Sequence, residues 1–276
     1  MLEIIYPNYP IQTSYEIGLV ITTFNRPHYV AKCFKSLQNS VLDNVIIVIV
    51  DDASDMEETI SLIKDFSMPN VPVIKIFKKE RKGFAVHQSL QVGWDLLSEK
   101  YHCDYLCNLD SDSLVTNNWL NRLLAIYKIQ RPKRGPLIVT GFHAHSHSVL
   151  KEYDDYRIKK SIGGLNMFFD LPLYQQIIRP HLQIIRPHLE NNWDWQVIGA
   201  MQQFRYPIVC TKPSVIQHLG KMGQWSNPER GYDIALDFEG YSASRRFALW
   251  IELQGQNLYR PLFKLYKTLL QNNSDK

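Results

Sequence analysis

The stretch Tyr105-Leu106-Cys107-Asn108-Leu109-Asp110-Ser111-Asp112-Ser113 decides the fold, because an apolar run ends there in two carboxylates one residue apart. We predict a strand from Tyr105 to Leu109 that delivers both side chains to the carboxyl edge of a sheet, where ligands of open α/β folds bind. Two acidic groups at that edge can hold a hard divalent cation, and such a cation can hold a diphosphate. Short triplets of this kind also arise by chance, so their position after the apolar run carries the argument.

Three further segments upstream of this stretch have the same strand-then-helix pattern. Apolar runs at Ile17–Ile21, Val45–Val50 and Val71–Phe77 are each followed by apolar residues at helical spacing. The second run is β-branched throughout, as in a strand buried on both faces. We therefore predict an α/β fold with a mixed, mostly parallel sheet flanked by helices. Ser54 and Glu57 fit a capping box at the start of the second helix.

The second half of the chain is less regular. His143, His145 and His147 alternate and would share one face if the strand predicted over 137–142 continued. An exposed strand face explains them better than a metal site does, because no Cys or carboxylate accompanies them at ligand spacing. A helix is predicted to begin around Trp193-Asp194-Trp195, and we expect four later side chains of that helix to point inward: Val197, Ile198, Met201 and Phe204. A tandem repeat of Gln-Ile-Ile-Arg-Pro-His-Leu at 176–182 and 183–189 is interpreted as a local insertion.

Length and composition indicate one globular domain with short additions. The chain has 276 residues, of which 45% are hydrophobic and 21% charged. We divide it into an arm at 1–14, a catalytic domain at 15–232 and a helical extension at 233–276. The net charge of +4 suits an anionic small ligand or a membrane surface and is too small to indicate nucleic acid.

Location is predicted from the cysteines and from the absence of targeting segments in the sequence. The four cysteines show no paired metal-binding spacing, so we interpret them as reduced thiols. Neither a signal peptide nor a run of about 18 apolar residues is visible. A cytoplasmic protein is expected, with peripheral membrane contact through the aromatic and basic C-terminal extension as a further possibility.

The motifs resemble those of an inverting glycosyltransferase of the GT-A fold, most closely glycosyltransferase family 2, with some features of the N-acetylglucosaminyltransferase I type. The matching segments follow the family's order and are Thr22-Thr23-Phe24-Asn25-Arg26, Val50-Asp51-Asp52-Ala53-Ser54, Leu109-Asp110-Ser111-Asp112, Gly163-Gly164, Trp193-Asp194-Trp195 and the segment 214–220 that ends in His218-Leu219-Gly220. Two segments depart from the pattern. Arg81-Lys82-Gly83 replaces the usual Asn-x-Gly, and Trp193 stands where an acidic residue usually precedes the base.

The resemblance implies a role for each matching residue. Asp110, Asp112 and His218 would hold Mn2+ or Mg2+, and an imidazole ligand favours Mn2+. Asp194 would be the general base, with a pKa raised by flanking indoles. A nucleotide-sugar donor, with UDP implied by the resemblance alone, would contact Thr22, Thr23, Arg26, Asp51, Asp52, Lys82, Asp110 and Ser111. The acceptor would be a glycan, glycolipid or protein hydroxyl. No prediction is made for the oligomeric state.

Each residue also has a structural explanation, and two other functions compete. The aspartates could cap turns or helix N-termini, His218 could be an ordinary loop histidine, and Lys82 could belong to a solvated basic loop. A nucleotidyltransferase would share the fold and the metal carboxylates. A catalytically inactive GT-A domain would bind a sugar without turnover. The decisive structural expectation is that Asp194 lies in one cavity with Asp110 and Asp112.

Overall fold

A computed structural model describes residues 2–81, 86–184, 193–220 and 233–255 of the chain. These residues form one ten-stranded sheet with helices on both faces and one two-stranded ribbon. The sheet is mixed and contains four adjacent parallel strands, which confirms the predicted fold class. No helix in the described ranges combines the length and the apolar character that crossing a bilayer requires.

The first half of the chain alternates strands and helices as predicted. Its elements, in chain order, are β1 (Leu2–Ile5), β2 (Ile17–Thr23), α1 (Pro27–Gln38), β3 (Val45–Asp51), α2 (Glu57–Asp65), β4 (Val73–Lys78), α3 (Val86–Glu99), β5 (Tyr105–Asp110), β6 (Ser113–Val115) and α4 (Trp119–Arg134). Strands β4, β3, β2 and β5 are parallel neighbours in that order. Their carboxyl ends therefore meet at one edge of the sheet.

The second half contains shorter elements. They are β7 (Ile138–Thr140), β8 (Val149–Glu152), β9 (Tyr156–Lys159), β10 (Phe168–Asp170), α5 (Leu171–Leu173), a π-helical turn (Tyr174–Ile178), α6 (Arg179–Gln183), α7 (Trp193–Gln203), β11 (Ile208–Thr211) and β12 (Ile216–His218). Residues 243–255 are helical. The full strand order is β1-β4-β3-β2-β5-β10-β7-β11-β9-β8, and β12 pairs with β6 in the separate ribbon.

Two hydrophobic layers hold the helices on the sheet. Alternate residues of β3 point to opposite faces, so Ile47 packs in the layer with α1, α2 and α4, whereas Val48 packs in the layer with α3 and α7. Both side chains are fully buried. A strand buried on both faces needs continuous apolar sequence, and this requirement explains the β-branched run from Val45 to Val50.

Several details differ from the sequence-based expectations. Leu2–Ile5, within the predicted arm, pair antiparallel with β4 and extend the sheet. The expectation that the three histidines share a strand face is wrong, because β7 ends at Thr140 and residues 141–148 form a loop. Phe204 is also not inward, since it follows the last residue of α7 and is 46% exposed. The first repeat copy lies in the π-helical turn and α6, and residues 185–189 of the second are outside the described ranges.

Candidate active site

Three loops meet at the carboxyl edge of the parallel strands. They connect β2 to α1, β3 to α2, and β5 to β6. The strand register places Thr22 beside Asp110 and Thr23 beside Asp51, so four of the predicted donor-site residues lie in neighbouring strand ends. Ser111 follows Asp110 in the turn and is half-buried.

Asp51 is buried and organises two of these loops. Its carboxylate accepts hydrogen bonds from Thr23 Oγ1 at 2.9 Å, from the Ser54 backbone N–H at 2.8 Å and from Ser54 Oγ at 2.6 Å. Ser54 is thereby used in the loop, and α2 begins after Met56 with no side-chain cap, so the predicted capping box is wrong. A carboxylate with three donors fixes the loop conformation around the site.

The same loops contain strained backbone. Asn25, Arg26 and Ala53 have φ values of 50°, 61° and 61°, in the left-handed region that non-glycine residues rarely adopt. Asn25 compensates through its side chain, whose Oδ1 accepts from the backbone N–H groups of Asp55 and Met56 at 3.1 Å each. Strain of this kind persists only where the surrounding structure fixes it, and it concentrates at ligand sites.

The Asp52 carboxylate forms ion pairs on the side of the site next to α3. Its carboxylate contacts Lys78 Nζ at 2.6 Å and Arg81 Nε at 3.4 Å, and it accepts from Ser89 Oγ at 3.1 Å. The Arg81 guanidinium also lies 3.8 Å above the ring of Phe24. Basic side chains therefore surround Asp52. The predicted phosphate contact Lys82 lies outside the described residues.

Asp112 lies between the side chains of Arg26 and His218. Its Oδ2 contacts the Arg26 guanidinium, and His218 Nε2 lies 3.2 Å from the same oxygen. The ribbon brings His218 there, because its register pairs His218 with Ser113. Burial alone would raise the pKa of Asp112, but His218 and Arg26 outweigh it and hold that pKa below the usual value.

The neighbouring carboxyl and the histidine shift in the opposite direction. Burial and the adjacent Asp112 charge raise the pKa of Asp110 well above its usual value. Burial would lower the pKa of His218, but Asp112 and Asp110 raise it overall. The Asp pair is thus a site of concentrated negative charge that Arg26 and His218 only partly neutralise.

The chemistry of this donor set fits a divalent cation. Two carboxylates and an imidazole are ligands that Mn2+ accepts, and a bound cation would offset the negative charge on Asp110 that burial makes unfavourable. Within the described ranges, no three His, Cys, Asp or Glu side chains are already arranged around one metal position. Arg26 instead contacts the Asp112 oxygen, so metal binding by these residues requires that the Arg26 side chain be displaced.

Asp194 reaches the same edge from the other half of the chain. The end of β5 is bonded to the segment 163–167: the Asp110 backbone N–H donates to the Leu165 carbonyl at 3.0 Å, and Asn108 Nδ2 donates to the Gly164 carbonyl at 2.7 Å. The Gly164 backbone N–H in turn donates to Asp194 Oδ2 at 3.0 Å. Asp194 is close enough to Asp110 to raise the pKa of that carboxyl. These contacts link Asp194 to the end of β5, close to Asp110.

The surroundings of Asp194 suit a general base. It lies in the first turn of α7, and burial raises its pKa above the usual value, although the backbone N–H groups of Trp195 and Gly164 partly oppose this shift. The expectation that both flanking indoles desolvate it needs a correction, because Trp193 is 7% exposed and Trp195 is 51% exposed. Gly164 is required beside them, since a Cβ there would lie 2.5 Å from Trp193 Cζ2.

Sequence reasoning missed the residues that join the two halves. Asn108 and Asn166 bridge β5 and the segment 163–167: Asn166 Nδ2 donates to the Asn108 carbonyl at 2.8 Å, and the Met167 backbone N–H donates to Asn108 Oδ1 at 2.9 Å. His147 also lies here, with its ring stacked on that of Trp195 at 5.7 Å between centroids. A buried Asn inside an apolar strand run was the one signal available from the sequence.

Part of the chain is similar in sequence to a known protein family. Residues 19–133 match the family model described as "Glycosyl transferase family 2". A protein of Haemophilus influenzae (strain ATCC 51907 / DSM 11121 / KW20 / Rd) named "Uncharacterized glycosyltransferase" is 22% identical over 108 residues, which are 39% of this chain and 31% of that protein. The chain thus aligns with about a third of that relative's length. The matched segment contains the loops after β2, β3 and β5 together with the Asp pair, and over this segment the chain is similar to glycosyltransferase family 2.

Proposed function

We propose that the protein is a metal-dependent, inverting glycosyltransferase that moves a sugar from a UDP-sugar to an acceptor hydroxyl. The observation that carries the proposal is the convergence of Asp110, Asp112 and Asp194 at one edge of the sheet. Glycosyl transfer needs positive charge at the departing diphosphate and a base at the attacking hydroxyl. The two requirements correspond to the two parts of this site.

The donor end supplies charge and fixed geometry. Arg26 is a cationic side chain beside Asp112, where a diphosphate can be stabilised. Mn2+ or Mg2+ held by Asp110, Asp112 and His218 would supply further positive charge to that group. Nucleoside contacts are proposed for the strand-end residues and the loops they fix, namely Thr22, Thr23, Arg26, Asp51, Asp52, Lys82, Asp110 and Ser111.

Asp194 is proposed to accept the proton of the acceptor hydroxyl. Its raised pKa makes the carboxylate a better proton acceptor, while two backbone N–H groups fix its orientation. The hydroxyl oxygen then attacks the anomeric carbon from the side opposite the diphosphate. The bond to the diphosphate breaks in the same displacement, so the configuration at that carbon inverts.

The two rival functions make different demands. A nucleotidyltransferase needs a glycine-rich phosphate loop after its first strand, and residues Thr22 to Pro27 contain no glycine. A GT-A domain that only binds a sugar does not need an elevated pKa on a carboxyl opposite the metal pair. The features of Asp194 therefore favour an enzyme over a binding domain.

The test is turnover of nucleotide sugars by the full chain. Thermal-shift screening of UDP- and GDP-sugars with Mn2+ would identify the donor, and release of the nucleoside diphosphate would then be followed with Mn2+, with Mg2+ and with EDTA. We expect UDP-sugar hydrolysis that EDTA abolishes and Mn2+ restores. Donor binding without turnover would instead support the inactive domain, and turnover that EDTA leaves unchanged would remove the metal from the proposal.

Membrane contact and a cytoplasmic location are also part of the proposal. In the helical segment 243–255, Phe247, Trp250 and Ile251 are exposed on one face, beside Arg245 and Arg246. An exposed apolar face next to basic side chains suits the surface of an anionic bilayer. All four cysteines are unpaired and buried, which supports a reducing compartment. Sedimentation with phosphatidylglycerol vesicles, lost in Trp250→Ala and absent with neutral phosphatidylcholine vesicles, is the expected result.

A further inference from the structure

The two indoles that flank Asp194 have opposite environments. Trp193 is buried against Gly164 and packs edge-on to Trp94 at 6.5 Å between ring centroids, so it anchors the start of α7 in the core. Trp195 points outward and is 51% exposed. The Trp195 backbone N–H donates to Asp194 Oδ1 at 2.9 Å, which fixes its position relative to the proposed base. An apolar ring face therefore stands at the mouth of the site.

His147 holds this exposed indole in place. The imidazole stacks on the Trp195 ring with an interplanar angle of 29°. Its Nδ1 lies 2.8 Å from Ser161 Oγ, so a hydrogen bond to Ser161 fixes the orientation of the imidazole. Burial lowers the pKa of His147. The pair is thus a pre-ordered aromatic surface rather than a single solvated side chain.

The absence of a side chain at Gly163 leaves room beside this surface. A Cβ built on Gly163 would lie 3.9 Å from Asp194 Oδ2 and 3.9 Å from His147 Nε2. A carboxylate oxygen and an imidazole nitrogen therefore border the same position, next to the exposed indole. This combination of a flat apolar face and convergent polar atoms is typical of a small-molecule subsite.

From this arrangement we propose that Trp195 and His147 form a platform for a pyranose ring of a saccharide acceptor. This proposal rests on the proposed function and specifies the acceptor that it leaves open. A pyranose presents C–H groups on its flat faces and hydroxyls on its rim. The indole would pack against a flat face, while Asp194 and His147 would meet rim hydroxyls. A lipid or peptide hydroxyl without an adjoining sugar has no flat face to cover this platform.

The proposal is tested by binding of simple sugars to the full chain with UDP and Mn2+ present. Saturation-transfer-difference NMR would use the methyl glycosides of glucose, galactose, mannose and N-acetylglucosamine as probes. We expect at least one glycoside to bind, and its affinity to fall about three- to tenfold in Trp195→Ala, the range of an aromatic contact. Trp195→Phe should restore part of the affinity. His147→Gln should weaken it without changing donor affinity.

A matched control lies just beyond the other end of the same helix. Phe204 is 46% exposed and stacks on Tyr206 at 5.7 Å, but no carboxylate of the proposed site borders it. Phe204→Ala should leave glycoside binding unchanged. Equal affinity in wild type and in a folded Trp195→Ala variant, or no binding of any of the four glycosides, would overturn the platform.

The outcome remains distinct from that of the proposed function. UDP-sugar hydrolysis to water needs no saccharide acceptor, so hydrolysis by the wild-type protein tests the proposed function, whereas glycoside binding tests the platform. Absence of hydrolysis by the wild-type protein would count against the glycosyltransferase. The glycoside-binding result would then be judged separately.

Discussion

The Asp pair and Asp194 are carboxylates of one site in contrasting surroundings. Asp112 contacts Arg26 and His218, and its pKa is lowered, whereas Asp194 accepts hydrogen bonds from the backbone N–H groups of Gly164 and Trp195, and burial raises its pKa. Opposite shifts in neighbouring carboxyl groups indicate different chemical tasks. The neighbours of Asp112 favour its ionised form, whereas burial makes Asp194 a stronger proton acceptor.

The largest effect is expected from removing the basic carboxylate. Asp194→Asn should lower transfer by about 10²–10⁴-fold, the usual contribution of a general base, while the Kd for the donor stays unchanged. Steady-state rates and donor titration by calorimetry would measure both. A fully active variant would remove Asp194 as the base.

The stability of the same variant provides a control. A raised pKa in the folded state means that ionised Asp194 costs stability above the usual Asp pKa, and asparagine removes that cost while losing some hydrogen bonding. We expect the free energy of unfolding at pH 8 to change by no more than about 1 kcal/mol. A larger loss would assign Asp194 a structural role.

Neutralising the charge-rich end should have the next largest effect. Asp112→Asn is expected to reduce transfer by about 10²–10³-fold, as loss of a major electrostatic group does, and to raise the Mn2+ concentration needed for half-maximal rate. If Arg26 and His218 alone hold the diphosphate, the variant will keep its donor affinity. Asp104→Asn is the matched control, because Asp104 is an exposed residue just before the other end of β5.

A third variant perturbs the contact between the two ends. Gly164→Ala would place a Cβ 2.5 Å from Trp193 Cζ2 and 3.4 Å from Asp194 Cβ, so α7 must shift. A displacement of this kind should lower transfer by up to about 100-fold. Gly199→Ala serves as control: nothing lies within 4 Å of its Cβ position, and we expect unchanged activity with about 1 kcal/mol of added stability. Thermal unfolding and rate assays would compare them.

The smallest expected effect is a change in pH dependence. The base must be deprotonated, so kcat/KM should fall about tenfold per pH unit below the pKa of Asp194, and this acid limb should lie above the usual Asp value. Asp194→Glu should move the limb. A limb that stays in place in Asp194→Glu would assign it to another group.

The structure of the first half of the chain was predicted better from the sequence than that of the second half. Runs such as Val45–Val50 are long and buried on both faces, so local periodicity reveals strand, loop and helix in order. Strands β9 and β12 have four and three residues, and they pair with β11 and β6, which are distant in sequence. The same limitation explains the wrong interpretation of the histidines after Thr140.

Individual site residues divide along the same line. Asp110, Asp112 and Asp194 could be chosen from motifs, and their roles stay predictions. The stacking of His147 on Trp195 and the contact of Arg26 with Asp112 depend on loop geometry that no local pattern specifies. Ser54 shows the opposite failure: its motif was present, but Asp51 offered a stronger partner than the helix end did.

The pairing of β12 with β6 has a consequence for biosynthesis. A nascent chain emerging from the ribosome completes the four adjacent parallel strands β2, β3, β4 and β5 long before His218 is made. Until then the Asp112 carboxylate lacks its contact with His218, and the ribbon lacks a strand. The translation product therefore acquires the full set of contacts to Asp112 only after β12 has been made.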